Sequence, residues 1–199
     1  MRILITGSNG MLGRDLSALL RARHEVLGAD LPNVDITSLR LVQGAIQGAR
    51  LDAVIHTAAF TAVDDCERRP EFAFQVNAEG TRNVAFACRE SSIPLLYIST
   101  DYVFDGSKPA PYIETDTPNP LNVYGASKLQ GEQYIAESLP KAVAAARKIA
   151  GFNSEISVEP RVADLTPLHD LSNLQTLVHL SRIEGLIFGL RYAARGFPV

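Results

Sequence analysis

Residues 2–13, RILITGSNGMLG, pass from a short apolar run into three glycines, Gly7, Gly10 and Gly13, and then into a helical pattern. Few folds accept that order. A glycine turn between strand and helix leaves the helix N-terminus facing outward, where its amides and dipole attract phosphate charge. One glycine serves the tight turn, one lets the backbone approach a pyrophosphate, and one lets the helix pack closely. The spacing is G-x-x-G-x-x-G rather than G-x-G-x-x-G. A plain glycine-rich turn is the other reading of the triplet, and the strand before it and helix after it weigh against that reading.

The apolar runs recur. RILIT (2–6), EVLGAD (25–30), AVIHTA (53–58) and PLLYIST (94–100) are rich in Ile, Leu and Val, and between them lie helical stretches at 11–22, 37–48 and 66–91. Strand and helix in alternation predict a parallel sheet covered on both faces, a Rossmann-like doubly wound α/β fold. Ligands in such sheets bind outside the carboxyl ends of the strands. Asp30 ends the second strand, placed either to accept from ribose hydroxyls, which favours NADH over NADPH, or to form a turn before Leu31-Pro32. Asp35 and Ile36 either flank an adenine or sit at the entrance to the next helix. Ala58 and Ala59 are small where the backbone would pass a cofactor, whereas His56 reads as a packed core histidine. Ser99, Thr100, Asp101 and Tyr102 form a polar cluster after the fourth strand.

Behind that cluster, NVYGASKLQGE places Tyr124 and Lys128 one helical turn apart on one face of a helix starting near Leu121. Free tyrosine titrates near about 10 and is a feeble acid or base at neutral pH. A nearby ammonium is expected to favour the phenolate and lower that value. With Thr100 bonding the same oxygen, this set can pass a proton to a carbonyl while a nicotinamide reduces its carbon.

Bulk properties narrow the classes further. The 199 residues are 46% hydrophobic with a formal charge of −3, enough for one sizeable core. No basic cluster marks a nucleic-acid binder. The apolar start MRILITG is too short for a signal peptide or a membrane span. Cys66 and Cys88 lack metal-ligand spacing and the four histidines are scattered, so no metal site is read here. A cytoplasmic location is expected.

GSNGMLG, HTAAFTAVDDCE, NAEGT, ISTDYVFDG and PLNVYGASKLQGE together resemble the extended branch of the short-chain dehydrogenase/reductase superfamily, and within it the dTDP-4-dehydrorhamnose reductase family. The resemblance runs from Met1 to about Glu137. It implies a catalytic set in which Tyr124 protonates a 4-keto oxygen, Thr100 hydrogen-bonds it, and Lys128 holds the ribose and tunes Tyr124. It implies that Gly7, Gly10, Met11, Leu12, Gly13, Asp30, Asp35, Ile36, Ala58, Ala59 and Phe60, with Tyr124 and Lys128, hold NADH or NADPH. Asp101 and Tyr102 would lie near the sugar nucleotide, and Asn77 would support the active-site backbone. Val63, Asp64 and Glu67 match a family motif whose acidic residues either meet a metal at a dimer interface or form a solvated helix start. A homodimer and an Mg2+ ion are left open. The implied activity is NAD(P)H-dependent reduction of a nucleotide-linked 4-keto sugar, dTDP-4-dehydrorhamnose to dTDP-L-rhamnose. The alternatives are a non-catalytic cofactor- or partner-binding protein on the same scaffold, and a sugar-nucleotide epimerase or dehydratase.

The reading divides the chain into an NAD(P)-binding domain with its Tyr/Lys helix at 1–138 and an atypical region at 139–199. In the latter, neither the strand nor the substrate-binding lobe that the family places after its Tyr/Lys helix is found. An Ala-rich helix and a strand, SEISVEPRV, are expected first, the strand beside the fourth. From Leu165 an apolar residue recurs every third position to Leu186, resembling one turn of a bacterial leucine-rich repeat. A single repeat cannot bury its own apolar face, so these leucines must pack on the sheet, bind another chain or remain poorly ordered.

Overall fold

A computed structural model describes residues 1–109, 112 and 116–138. The Ala-rich helix, the strand SEISVEPRV, the leucine stripe and the whole 139–199 region lie outside the described residues. Within them, β1 (Arg2–Thr6), β2 (Glu25–Ala29), β3 (Ala53–His56) and β4 (Leu95–Tyr97) form one parallel sheet in the order β2-β1-β3-β4. The chain winds outward first from β1 to β2 and then, past β1, to β3 and β4. The winding therefore reverses between β1 and β3, which is where such sheets open a crevice at their carboxyl edge.

The central strand is apolar on both faces because both are covered. Ile3 and Ile5 point to one face and pack, with Ile55, on Leu16 and Leu20 of α1 (Met11–Leu20). Leu4, Val54, Leu95 and Tyr97 point to the other. There they meet Val42 and Ile46 of α2 (Leu39–Ile46), Val84 and Cys88 of α5 (Thr81–Glu90), and Ile135 of α6 (Val123–Ser138). Burying aliphatic side chains of this size contributes about 1.5–3 kcal/mol each, so these two layers fix the sheet and α6 relative to one another.

The third crossover differs from its sequence expectation. One helix was expected over 66–91; instead α3 (Val63–Arg68) ends at Arg69, and α4 (Pro70–Phe74) begins on the next residue. Arg69 has φ −136° and ψ 59°. The ring of Pro70 excludes the helical conformation at the residue before it while itself suiting a first helical position. A π-helical turn, Gln75–Gly80, then leads into α5. Such turns insert a residue and re-aim side chains, often at functional sites; this one carries Asn77.

Candidate active site

Every element that lines the crevice arrives from a strand's carboxyl end. After β1, Gly7 takes φ 70°, and a Cβ built on it would lie 2.6 Å from the Ala58 backbone at the end of β3. The Gly10 amide donates to the Gly7 carbonyl at 3.0 Å to close the turn. A Cβ on Gly13 would sit 2.1 Å from that same carbonyl. The loop is thus compressed from both sides, a shape only glycine at these positions allows. Gly10 caps α1 without a side chain and Met11 is largely exposed, so the first-turn amides face outward.

Asp30 lies where expected, just past β2, but both its oxygens are engaged. Oδ2 accepts from the Asn9 amide of the glycine loop and Oδ1 from the Leu31 amide, each at 2.8 Å. It therefore ties the loop to β2 whatever else it binds. Asp35 accepts from the amide and hydroxyl of Thr37 at 2.9 and 2.8 Å, forming the turn that precedes α2. Ile36 packs into the core and holds α5 through its carbonyl, which accepts from Asn83 at 2.9 Å. Ala58 and Ala59 are half-buried beyond β3. His56 is a core histidine: Nδ1 meets Thr6 Oγ1 at 2.6 Å and Nε2 meets Thr81 Oγ1 at 3.0 Å. Burial, and then the neighbouring Lys128, hold it down at about 3, so it stays neutral.

The polar cluster after β4 meets the first turn of α6. Thr100, buried, lies within hydrogen-bonding reach of the Tyr124 phenol. Tyr102 packs edge-on against Tyr124 with ring centroids 5.7 Å apart, and Asp101 accepts from the Thr100 hydroxyl at 3.2 Å. The approach is close because residue 125 is glycine: a Cβ there would lie 2.1 Å from the Tyr102 carbonyl. Lys128 is buried one turn on. Its Nζ donates to the Ile98 carbonyl at 2.7 Å and stands 4.0 Å from the centre of the Tyr97 ring. His56 stacks on Tyr97 at 5.4 Å.

The electrostatics correct one expectation. Tyr124 is shifted up, not down: burial outweighs the Thr100 hydrogen bond, which favours the phenolate. The Lys128 ammonium is turned to the Ile98 carbonyl rather than committed to the phenol. Burial brings Lys128 itself down to about 7, with Glu132 opposing. Tyr124 is therefore a neutral phenol at neutral pH, the form that can donate a proton.

Asn77, on its π-helical turn, is fully buried and grips the backbone of Phe60. Its Oδ1 accepts from the Phe60 amide at 2.7 Å, and its Nδ2 donates to the Phe60 carbonyl at 2.9 Å and to Ser127 Oγ at 3.0 Å. Ser127 in turn donates to the Tyr124 carbonyl at 2.8 Å. Sequence reading missed Ser127, Tyr97 and Glu132, whose carboxylate accepts from Ser99. Helical spacing was the available signal: Ser127 stands three residues after Tyr124 and Glu132 four after Lys128. Glu67 is exposed on α3, as the solvated reading expects, and its carboxylate also accepts from the Val123 amide at 2.6 Å. Among the described residues no group of three or more His, Cys, Asp or Glu is placed to hold a metal ion, and nothing supports the Mg2+ expectation. No helix among them is long and apolar enough to cross a membrane.

A parallel sheet in the order β2-β1-β3-β4, with a glycine turn at the carboxyl end of its first strand, defines a Rossmann-like α/β protein. Its sequence matches the model of the RmlD substrate binding domain over residues 1–147, and the chain belongs to that family. It is 42% identical over 140 residues to a dTDP-4-dehydrorhamnose reductase of Sinorhizobium fredii, covering 70% of this chain and 47% of that one. It is 41% identical over 140 residues to a dTDP-4-keto-6-deoxy-D-glucose reductase of Streptomyces niveus, covering 70% and 46%. Among solved structures it resembles the dTDP-4-dehydrorhamnose reductase of Bacillus anthracis in complex with NADP, at TM-score 0.73 and 34% identity. That likeness covers 94% of this chain and 74% of the other. The chain spans about half the length of the curated relatives it matches.

Proposed function

We propose that the chain carries the NAD(P)H-dependent reduction of a nucleotide-linked 4-keto sugar, dTDP-4-dehydrorhamnose to dTDP-L-rhamnose. What supports this reading is Thr100 beside the Tyr124 phenol, with Lys128 buried one helical turn further along α6. The residues fit a dinucleotide. With Gly10 as its cap, α1 begins with no side chain bonded to its first amides, so a pyrophosphate would find donors there. Gly7, Gly10, Met11, Leu12 and Gly13 would hold it, with Asp30, Asp35, Ile36, Ala58, Ala59 and Phe60 bordering the rest. When bound, a reduced nicotinamide supplies hydride to the keto carbon.

The chain's own residues do the rest. Tyr124, kept neutral by burial, donates its phenolic proton to the keto oxygen. Thr100 hydrogen-bonds the same oxygen and favours the phenolate that remains. Lys128, lowered to about 7 and one helical turn from Tyr124, exchanges protons near neutral pH and would return the proton to Tyr124. Asp101 and Tyr102 border the sugar. A homodimer belongs to the same proposal.

Residues beyond 147 fall outside the family match, which favours a second reading, a cofactor- or partner-binding scaffold without turnover. One titration separates the two. Purified chain is titrated with NADH and NADPH by nicotinamide fluorescence, and the 4-keto sugar nucleotide is then added. Binding followed by oxidation of the cofactor is the expected result. Binding without oxidation refutes the reductase reading in favour of the scaffold, and absence of binding refutes both.

A further inference from the structure

The first turn of α6 is held from outside at two points, one on each side of Tyr124. On the C-terminal side, the Tyr124 carbonyl accepts from Ser127, which Asn77 anchors to Phe60. On the N-terminal side, the Val123 amide donates to Glu67 Oε1 at 2.6 Å. Val123 is the first residue of α6 and Glu67 belongs to α3, 56 positions earlier in the chain. The local cap is Asn122, whose Oδ1 accepts from the Gly125 amide at 2.7 Å, and it leaves the Val123 amide to Glu67.

From this we infer that Glu67 is a positioning residue that fixes the backbone register of Tyr124 by capping its helix from the third crossover. A helix start has amides with no partner inside the helix, and a carboxylate there is favoured by charge and dipole alike. The short α3 makes the contact possible. Because Pro70 stops that helix, Glu67 lies in its last turn, beside Cys66, whose thiol bonds the Phe60 carbonyl at 3.6 Å. Both clamps on Tyr124 thus issue from the segment that carries Phe60, and the phenol is set relative to the cofactor-facing loop rather than to α6 alone. A displacement of the proton donor by about 1 Å is enough to cost catalysis heavily. The kinetic consequence rests on the reductase reading; the geometric one does not.

The test compares Glu67→Ala, which loses the acceptor, with Glu67→Gln, which keeps an oxygen at the same place, using the whole chain. Expected is a roughly tenfold lower kcat for Glu67→Ala with cofactor affinity within about twofold, and near-parental kcat for Glu67→Gln. Ring-13C NMR of labelled tyrosine, with Tyr124 assigned by its loss in Tyr124→Phe, supplies a readout without turnover. Its signal should move in Glu67→Ala and stay in Glu67→Gln. An unmoved Tyr124 signal in Glu67→Ala overturns the inference, as does a Glu67→Gln variant as damaged as Glu67→Ala. Equal losses of kcat and cofactor affinity overturn it too, since they mark general loosening. If Glu67→Ala does not fold, Glu67→Asp, one methylene shorter, takes its place. A parent without turnover sinks the reductase reading alone, and the NMR comparison still decides the role of Glu67.

Discussion

Two glycines in helices, changed to the same residue, should move the protein in opposite directions. Both Gly13 of α1 and Gly44 of α2 forgo helix propensity, and alanine in place of either recovers about 1 kcal/mol in an exposed helix interior. Around Gly44 nothing lies within 4 Å of the added Cβ. Around Gly13 the Cβ would fall 2.1 Å from the Gly7 carbonyl and 2.8 Å from Ser8 Cα, both backbone. The loop cannot yield, because Gly7 lies equally tight on the Ala58 backbone and its carbonyl closes the turn to Gly10. Overpacking of this kind costs about 1–3 kcal/mol, and 1 kcal/mol moves Tm by about 2–4 °C in a chain of this size. Gly44→Ala should therefore raise Tm by about 2–4 °C, with nicotinamide binding unchanged. Gly13→Ala should lower Tm by several degrees and weaken binding of NADH and NADPH together, by about tenfold or more, as the α1 amides are pushed off their line. Differential scanning calorimetry and nicotinamide fluorescence read both effects. A Gly13→Ala variant with parental cofactor affinity would refute the claim that the compressed loop is the phosphate site.

Tyr124→Phe should abolish turnover while nicotinamide fluorescence still reports binding; equal turnover would remove Tyr124 as proton donor. Lys128 has its value depressed from 10.5 to about 7, so between those values the unfolded chain binds more protons than the folded one and this group makes stability rise with pH. Tm measured from pH 7 to 10 should climb more steeply in the parent than in Lys128→Met, and identical slopes would place the ammonium in solvent. Asp105 accepts from Asn119, from the amide and hydroxyl of Ser107, and from Tyr112, which together hold its carboxyl far below the ordinary 3.8. What a depressed carboxylate contributes is present above the ordinary value and lost only as pH falls through the lowered one. The Tyr112 ring signal, stacked on Phe104 at 4.1 Å, should therefore hold steady through pH 4 and move well below it. A midpoint near 3.8 would show that the four donors are not engaged.

The sheet was legible because parallel strands covered on both faces leave uninterrupted apolar runs, and β1 to β4 all fall inside the predicted segments. Each prediction ran long at the carboxyl end of β2, β3 and β4, where Thr57 follows β3 with its hydroxyl on the Thr6 carbonyl and Ser99 follows β4 with its hydroxyl on Glu132. The glycine loop, Thr100, Tyr124 and Lys128 were legible for a related reason: close backbone approach and helical spacing are both written as residue type at fixed intervals. The break at Pro70 was written too, as a proline inside a helical pattern, and was passed over. What could not be read from spacing was a bond between distant segments, such as Glu67 to Val123 or Asn77 to Ser127, because a hydrogen bond across 50 or more positions leaves no period in the sequence.

The sign of the Tyr124 shift was misjudged for a physical reason that bears on the chemistry. Spacing puts a lysine one turn from a tyrosine but does not say where the ammonium points, and here the Ile98 carbonyl and the Tyr97 ring take it. The same burial that packs α6 on the sheet raises the phenol and lowers the amine, setting apart in acidity two groups that are nearly matched when free. In the proposed reduction a neutral phenol is the useful ground state for a group that gives a proton to a ketone, and an amine at about 7 would exchange protons near neutral pH. Desolvation, rather than a charge pair, then tunes this site, so widening the crevice should disturb both residues at once. Replacing Tyr97 by leucine removes the ring from under Nζ while leaving Tyr124 untouched, and should lower Lys128 further by taking away its cation–π support. If the pH profile of turnover kept its limb near 7 in that variant, the ring would have no part in setting Lys128.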